Sequence, residues 1–197
     1  MSKIIAFEGA DRCGKATQSQ LLKEYIESIG KKAIVIEAPI NNGPFYRSIY
    51  WMLKSGLAKT FPRLFQMFNF FNKWIFQTMK LTQIEHDYDF IIFDRWSLSS
   101  VIYGTAEGLE EKYCSNLYRL LRKPDFTIML LGQPYKHESE DVYESDAILQ
   151  DKVRKLYAEW SNDNPKDSHV VDGTGMDKEI LFNEIRRILR TCRITPI

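Results

Sequence analysis

Apolar residues recur along this chain in two rhythms. Short unbroken runs, KIIAFE at 3–8, AIVIEA at 33–38, DFIIFD at 89–94, DFTIMLLG at 125–132 and HVVDG at 169–173, are rich in β-branched and aromatic residues. They have the length and character of strands buried on both faces, as in a parallel sheet. Between them the apolar positions return every three or four residues. TQSQLLKEYIESIG at 17–30 puts Leu21, Leu22, Tyr25, Ile26 and Ile29 on one helical face and closes on Gly30. ILQDKVRKLYAEW and KEILFNEIRRILR repeat that spacing. Strands alternating with helices predict βαβ units, and such sheets bind ligands beyond the carboxyl ends of their strands.

The segment EGADRCGKAT at 8–17 stands at one of those ends. GADRCGKA fits the G-x-x-x-x-G-K pattern, directly after a predicted strand and directly before a predicted helix, which is the context the motif requires. Gly9 and Gly14 allow backbone conformations closed to other residues, so successive N–H groups converge on phosphate oxygens at the positive end of the helix. Lys15 adds a mobile full charge. The expected fold is a three-layer α/β/α P-loop NTPase fold with a central parallel sheet of about five strands. Asp94 and Arg95 end the apolar strand FIIF and are aimed at the same crevice.

At 197 residues, with no linker-like or repetitive tract, the chain reads as one domain over 1–197. Its 27 Lys+Arg balance 26 Asp+Glu, so nothing has the basic surplus of a protein that lives on nucleic acid or an anionic membrane. Any anionic partner is gripped locally. Cys13, Cys114 and Cys192 are far apart and odd in number, with no CxxC pair, against a disulfide framework or structural zinc site. The opening MSKIIAFEGA is too short an apolar run for a signal sequence or a span. These features lead us to expect a soluble cytoplasmic protein.

FEGADRCGKATQ resembles the opening of the thymidylate kinase family, P-loop enzymes that move a phosphoryl group from ATP to dTMP. DRWSLSSVIYG at 94–104, KPDFTIMLL at 123–131, DVYESDAILQDKVRKLY at 141–157 and VVDGTG at 170–175 resemble later family segments, in the right order. The resemblance implies Mg²⁺, ATP and a deoxynucleoside monophosphate as partners, a homodimer formed through helices, and a lid at about 132–147. It assigns Gly9, Ala10, Asp11, Arg12, Cys13, Gly14, Lys15, Ala16, Thr17, Asp172 and Gly173 to ATP. Catalysis falls to Arg12, Lys15, Asp94 and Arg95, with Asp94 meeting the metal through water. In the type I pattern the catalytic arginine sits in the phosphate loop; here Arg12 does so, and the lid has Lys136 but no Arg. On the acceptor side the resemblance assigns Arg95 to the phosphate and Asp11 to the 3′-hydroxyl. It places Ser99 and Ser100 near the base and Tyr103 against C2′, and adds Tyr143 from the lid segment.

Several positions depart from the family pattern. Ala16 lacks the hydroxyl that usually touches the metal. Asn41 stands where many relatives place an arginine on the acceptor phosphate, with Arg47 the nearest substitute. Where relatives stack a phenylalanine on the base and bond it with an arginine, the stretch FNFFNKW gives Asn69 and Lys73. A planar bidentate donor has become a point charge. Phe68 or Phe70 remains available to stack, although an aromatic-rich helix also fits plain core packing. The expected reaction is dTMP to dTDP. A different or broader acceptor (dUMP, dGMP) and a catalytically degenerate nucleotide-binding protein stay open.

Overall fold

A computed structural model describes residues 2–41, 45–132, 146–165 and 168–195. The five apolar runs form five strands: β1 (Lys3–Gly9), β2 (Ala33–Glu37), β3 (Phe90–Asp94), β4 (Phe126–Leu130) and β5 (His169–Val171). They make one sheet in the order β2-β3-β1-β4-β5, and every pairing is parallel. Nine α-helices are found among the described residues: α1 (Lys15–Ser28), α2 (Tyr46–Lys54), α3 (Leu57–Thr60), α4 (Pro62–Phe76), α5 (Thr82–Asp87), α6 (Ser97–Ala106), α7 (Glu111–Tyr118), α8 (Ala147–Asp163) and α9 (Lys178–Thr191). A π-helical turn, Gln77–Leu81, runs between α4 and α5 without a break.

The strands read as continuous apolar runs because both sheet faces are covered. Ile5, Phe7, Ile92 and Ile128 pack against Leu22 and Ile26 of α1 and Leu181 and Ile185 of α9. On the opposite face, Ile4, Ile91 and Phe93 meet Phe76 and Trp96, and Met129 meets Val153 and Tyr157 of α8. This is the expected three-layer arrangement. The chain leaves β1 toward β2 on one side and later reaches β4 on the other, so the loops after β1 and β3 border the crevice that such a reversal creates.

Helix α1 starts at Lys15, two residues before the run read from its apolar face, and Gly30 closes it as expected. Gly30 N–H donates to Glu27 O at 3.0 Å and Lys31 N–H to Ile26 O at 3.2 Å, a Schellman ending with Gly30 at φ +77°. Ile29 does not join the buried face; it caps the helix and is exposed, while Leu22 and Ile26 are fully buried. The apolar stripe continues past the last turn that the sheet covers.

The loop after β2 is fastened from α4. Asn72 Oδ1 accepts from Ile40 N–H at 2.7 Å and its Nδ2 donates to Ile40 O at 3.1 Å, and both residues are buried. Asn72→Ala leaves two buried backbone groups without partners, an expected loss of about 1–3 kcal/mol. Urea unfolding checks this as a lower midpoint at an unchanged m-value.

Candidate active site

The phosphate loop follows β1 in a conformation that its sequence makes possible. Gly9 has φ +145°, and a Cβ there would run into the Leu130 carbonyl of the neighbouring strand. Gly14 has φ +91° and precedes the first turn of α1. Between them Arg12 takes the left-handed region at φ +61°, which costs a non-glycine residue about 1 kcal/mol or more. Lys15 is buried in the first turn of α1, with its Nζ donating to Ala10 O and lying 3.6 Å from Cys13 Sγ. Ala16 and Thr17 are exposed on the same turn.

Asp11 is the meeting point. Arg95, just beyond β3, forms an ion pair with it and also donates to Gly9 O at 2.9 Å. Tyr103 of α6 donates to Asp11 Oδ2 at 2.7 Å. Gln150 of α8 donates to the same oxygen at 2.5 Å and accepts from Asp11 N–H at 3.0 Å. Burial opposes the ionised form of Asp11, but Arg95 and Lys15, with the Tyr103 and Gln150 hydrogen bonds, outweigh it and hold the carboxyl below the ordinary carboxylate range. Burial, which the Asp11 charge reinforces and Arg95 opposes, pushes the Tyr103 hydroxyl well up, so it stays a donor. Arg95, like Arg12, has a left-handed backbone, φ +67°.

Beside this cluster opens a cavity of about 320 Å³. Asp11, Lys73, Arg95, Ser99, Ser100 and Tyr103, six of the nine acceptor-side candidates named from the sequence, line it together. Asn69 and Asn41 line it as well. Phe70 does not: it is buried edge-on against Phe71 and Tyr118. Phe68 stacks on Phe45 at 5.4 Å, and the aromatic that α4 does turn to the cavity is Phe65. Arg47 is exposed on α2 and stands outside the lining, which takes Tyr46, Ile49, Tyr50 and Leu53 from that helix. Asp94 is buried at the end of β3. Asp172, past β5, accepts from Thr174 N–H and Oγ1 at 2.9 and 2.6 Å, and Gly173 packs near Gly132 at the ends of β5 and β4. Tyr143, Lys136 and most of the expected lid lie outside the described residues.

Lys73 reaches the cavity from α4 with its Nζ 2.5 Å from Ser100 Oγ and 5.4 Å from the Tyr118 ring centre. Burial pushes its ammonium down to about 8; Glu8 pulls the other way and Arg95 adds to the depression. Glu8, the penultimate residue of β1, accepts from Trp96 N–H at 2.9 Å and Tyr157 OH at 3.1 Å. Burial raises its carboxyl above the ordinary range, against those two bonds and the charges of Arg95 and Lys73. Neither Glu8 nor Gln150 was among the residues named from the sequence. Both left a trace there: a carboxylate inside a buried strand, and a polar side chain on the α8 face that otherwise shows Leu149, Val153 and Tyr157.

The sequence and the fold have known counterparts. Residues 7–185 match the thymidylate kinase family. The protein named "Probable thymidylate kinase 1" of Saccharolobus solfataricus is 30% identical over 95% of this chain and 97% of its own. The thymidylate kinase of Schizosaccharomyces pombe is 28% identical over 79% of this chain and 75% of its own. A solved thymidylate kinase structure from Candida albicans shares the fold at a TM-score of 0.77, with 24% identity over 98% of this chain and 92% of that one. With its phosphate loop, its all-parallel sheet and a family match across most of its length, the chain belongs to the thymidylate kinase family, the nucleoside monophosphate kinases that convert dTMP to dTDP.

Proposed function

We propose that the chain transfers the γ-phosphoryl group of ATP to the phosphate of dTMP, with the acceptor in the cavity beside Asp11. The observation that carries this reading is that one cavity joins the phosphate loop to Arg95 at one end and to Lys73 and Ser100 at the other. In the transfer an acceptor phosphate oxygen bonds to the γ-phosphorus as the bond to the β-phosphate breaks, and ADP departs. Such a step needs positioning and positive charge more than covalent chemistry. Lys15 and the loop N–H groups hold the donor phosphates, and Arg12 stabilises the charge on the group in flight. Arg95 holds the acceptor phosphate and Asp11 the sugar 3′-hydroxyl. Tyr103 crowds C2′ and so favours deoxyribose, while Asp172 and Gly173 border the adenine.

The donor set fits Mg²⁺ held largely by substrate phosphates. No group of three His, Cys, Asp or Glu gathers among the described residues, whereas Mg²⁺ keeps several waters and needs only one or two carboxylates. Asp94 would hold it through water, and when bound the ion supplies positive charge to the donor phosphates. Ala16 offers no hydroxyl, so water fills that position too.

A broader acceptor range is favoured by one observation: Asn69, at the position where the family pattern has the base-stacking phenylalanine, lines the cavity. ADP release with each of dTMP, dUMP, dGMP, dCMP and dAMP separates the readings. Turnover on dTMP is expected, and none above background would sink the proposal. In the same assay Arg12→Ala is expected to lower kcat by roughly 100-fold or more with little change in the dTMP KM.

A homodimer belongs to the proposal. Phe61, Leu64, Met67, Phe71 and Trp74, spaced by three or four residues, leave an apolar stripe on the outer side of α4, each 37–53% exposed. Sedimentation equilibrium is expected to give twice the chain mass, and Leu64→Glu to halve it.

Lys73 makes the folded state sensitive to alkali in a defined direction. Its folded value, about 8, lies below the unfolded 10.5, so between these the unfolded chain binds more protons and this group's contribution to stability rises with pH. Relative to Lys73→Met, the parent is expected to gain about 1 kcal/mol between pH 8 and 9. Urea unfolding of both proteins across that window measures the difference.

A further inference from the structure

A second cavity, of about 370 Å³, lies on the same side of the sheet as the acceptor cavity. Arg119, Lys123 and Asn164, which line it, precede β4 and β5, so this cavity opens at the edge of the sheet opposite the phosphate loop. Its inner end reaches Glu8. Neither the phosphate-transfer chemistry nor the acceptor contacts make use of it.

Its walls are aromatic. Tyr118 and Trp160 line it, with Phe126 and His169 stacked on each other at 4.6 Å and 18°. Its acids are already engaged: both Glu8 oxygens accept hydrogen bonds, and Asp125 Oδ2 accepts from Ile4 N–H at 2.7 Å. Thr127, 7% exposed, turns a hydroxyl-bearing side chain to the space. Arg119 and Lys123 are exposed at the rim and form no ion pair there among the described residues. The space therefore offers flat apolar walls, one buried hydroxyl, and two cations at the entrance.

We propose that this cavity is a second ligand site for a small mono- or bicyclic aromatic anion, its ring between Tyr118, Trp160 and Phe126 and its charge at Arg119 and Lys123. The volume falls at the low end of the range for small-molecule pockets, roughly 300–1,000 Å³. The site shares a wall with the acceptor cavity without opening its residues to the occupant. The Tyr118 ring lies under Lys73 Nζ, and its hydroxyl donates to Gln66 Oε1 at 2.7 Å, inside the acceptor lining. Occupants of the two cavities are separated by Glu8 and Tyr118, so they bind together rather than in competition.

The test is calorimetric titration of 2-naphthoate into the protein alone and into the protein with saturating dTMP. One saturable site is expected in both. Arg119→Ala with Lys123→Ala removes the rim charges and is expected to weaken binding about tenfold while leaving kcat on dTMP unchanged. Leu98→Trp fills the cavity and is expected to abolish binding; a thermal melt like the parent's verifies that this variant folds, and the exposed rim variant decides the matter if it does not. Absence of saturable binding, equal affinity in both variants, or displacement of the probe by dTMP would each overturn the proposal. A protein that takes up the probe but turns over no dTMP leaves this site standing and removes the acceptor assignment instead.

Discussion

The Asp11 carboxylate accepts from Arg95, Tyr103 and Gln150, and so brings the phosphate loop, the end of β3, helix α6 and helix α8 onto one side chain. An ionised carboxylate with its access to water reduced is favoured when its oxygens are bonded and its charge is met. Each donor is therefore held in place by the need of the same anion. Gln150 closes the loop by accepting from the Asp11 backbone as well. Because Gln150 stands in the first turn of α8, the helix that follows the 132–147 segment is registered directly against the phosphate loop. Asp146 fastens the same turn from outside, capping Leu149 N–H at 3.0 Å and pairing with Lys59 of α3 at 2.6 Å.

Behind that anion lies a second layer of charge. Glu8 is buried and interacts with the charges of both Lys73 and Arg95, with its oxygens bonded to Trp96 and Tyr157. Its negative field offsets part of the cost of burying two cations near the acceptor cavity. The unfavourable backbone of Arg95 belongs to the same scheme: the turn that bends its φ to +67° lets the guanidinium reach both Gly9 O and Asp11. Such strain persists where surrounding bonds over-determine the conformation.

The sheet could be read directly because strands buried on both faces leave uninterrupted apolar runs, and the phosphate loop because its glycines sit at fixed offsets between a strand and a helix. Tertiary partners were harder to read. Phe70 and Phe68 looked alike in the sequence, and the phase of α4 turns both away from the cavity while presenting Phe65 and Asn69. Arg47 is near Asn41 along the chain, yet α2 faces the cavity with Tyr46, Ile49, Tyr50 and Leu53, a helical face at offsets of three, four and seven from Tyr46, and leaves Arg47 on another side. Gln150 is distant from Asp11 by 139 residues, and no local pattern reports such a pairing. Ile29 failed for the opposite reason: a periodic stripe says which side of a helix is apolar, not how far along the helix its neighbour extends.

The π-helical turn between α4 and α5 separates two demands on one continuous helix. Before it, Gln66, Asn69 and Lys73 face the acceptor cavity; Leu81, its last residue, and Ile84 beyond it pack into the core against the sheet. A turn that accommodates one extra residue rotates everything downstream by about 100°. The two halves thus keep different angular phases, like two gears keyed at different angles on one shaft. That offset lets Gln66, Asn69 and Lys73 keep to the acceptor cavity while Ile84 keeps to the core.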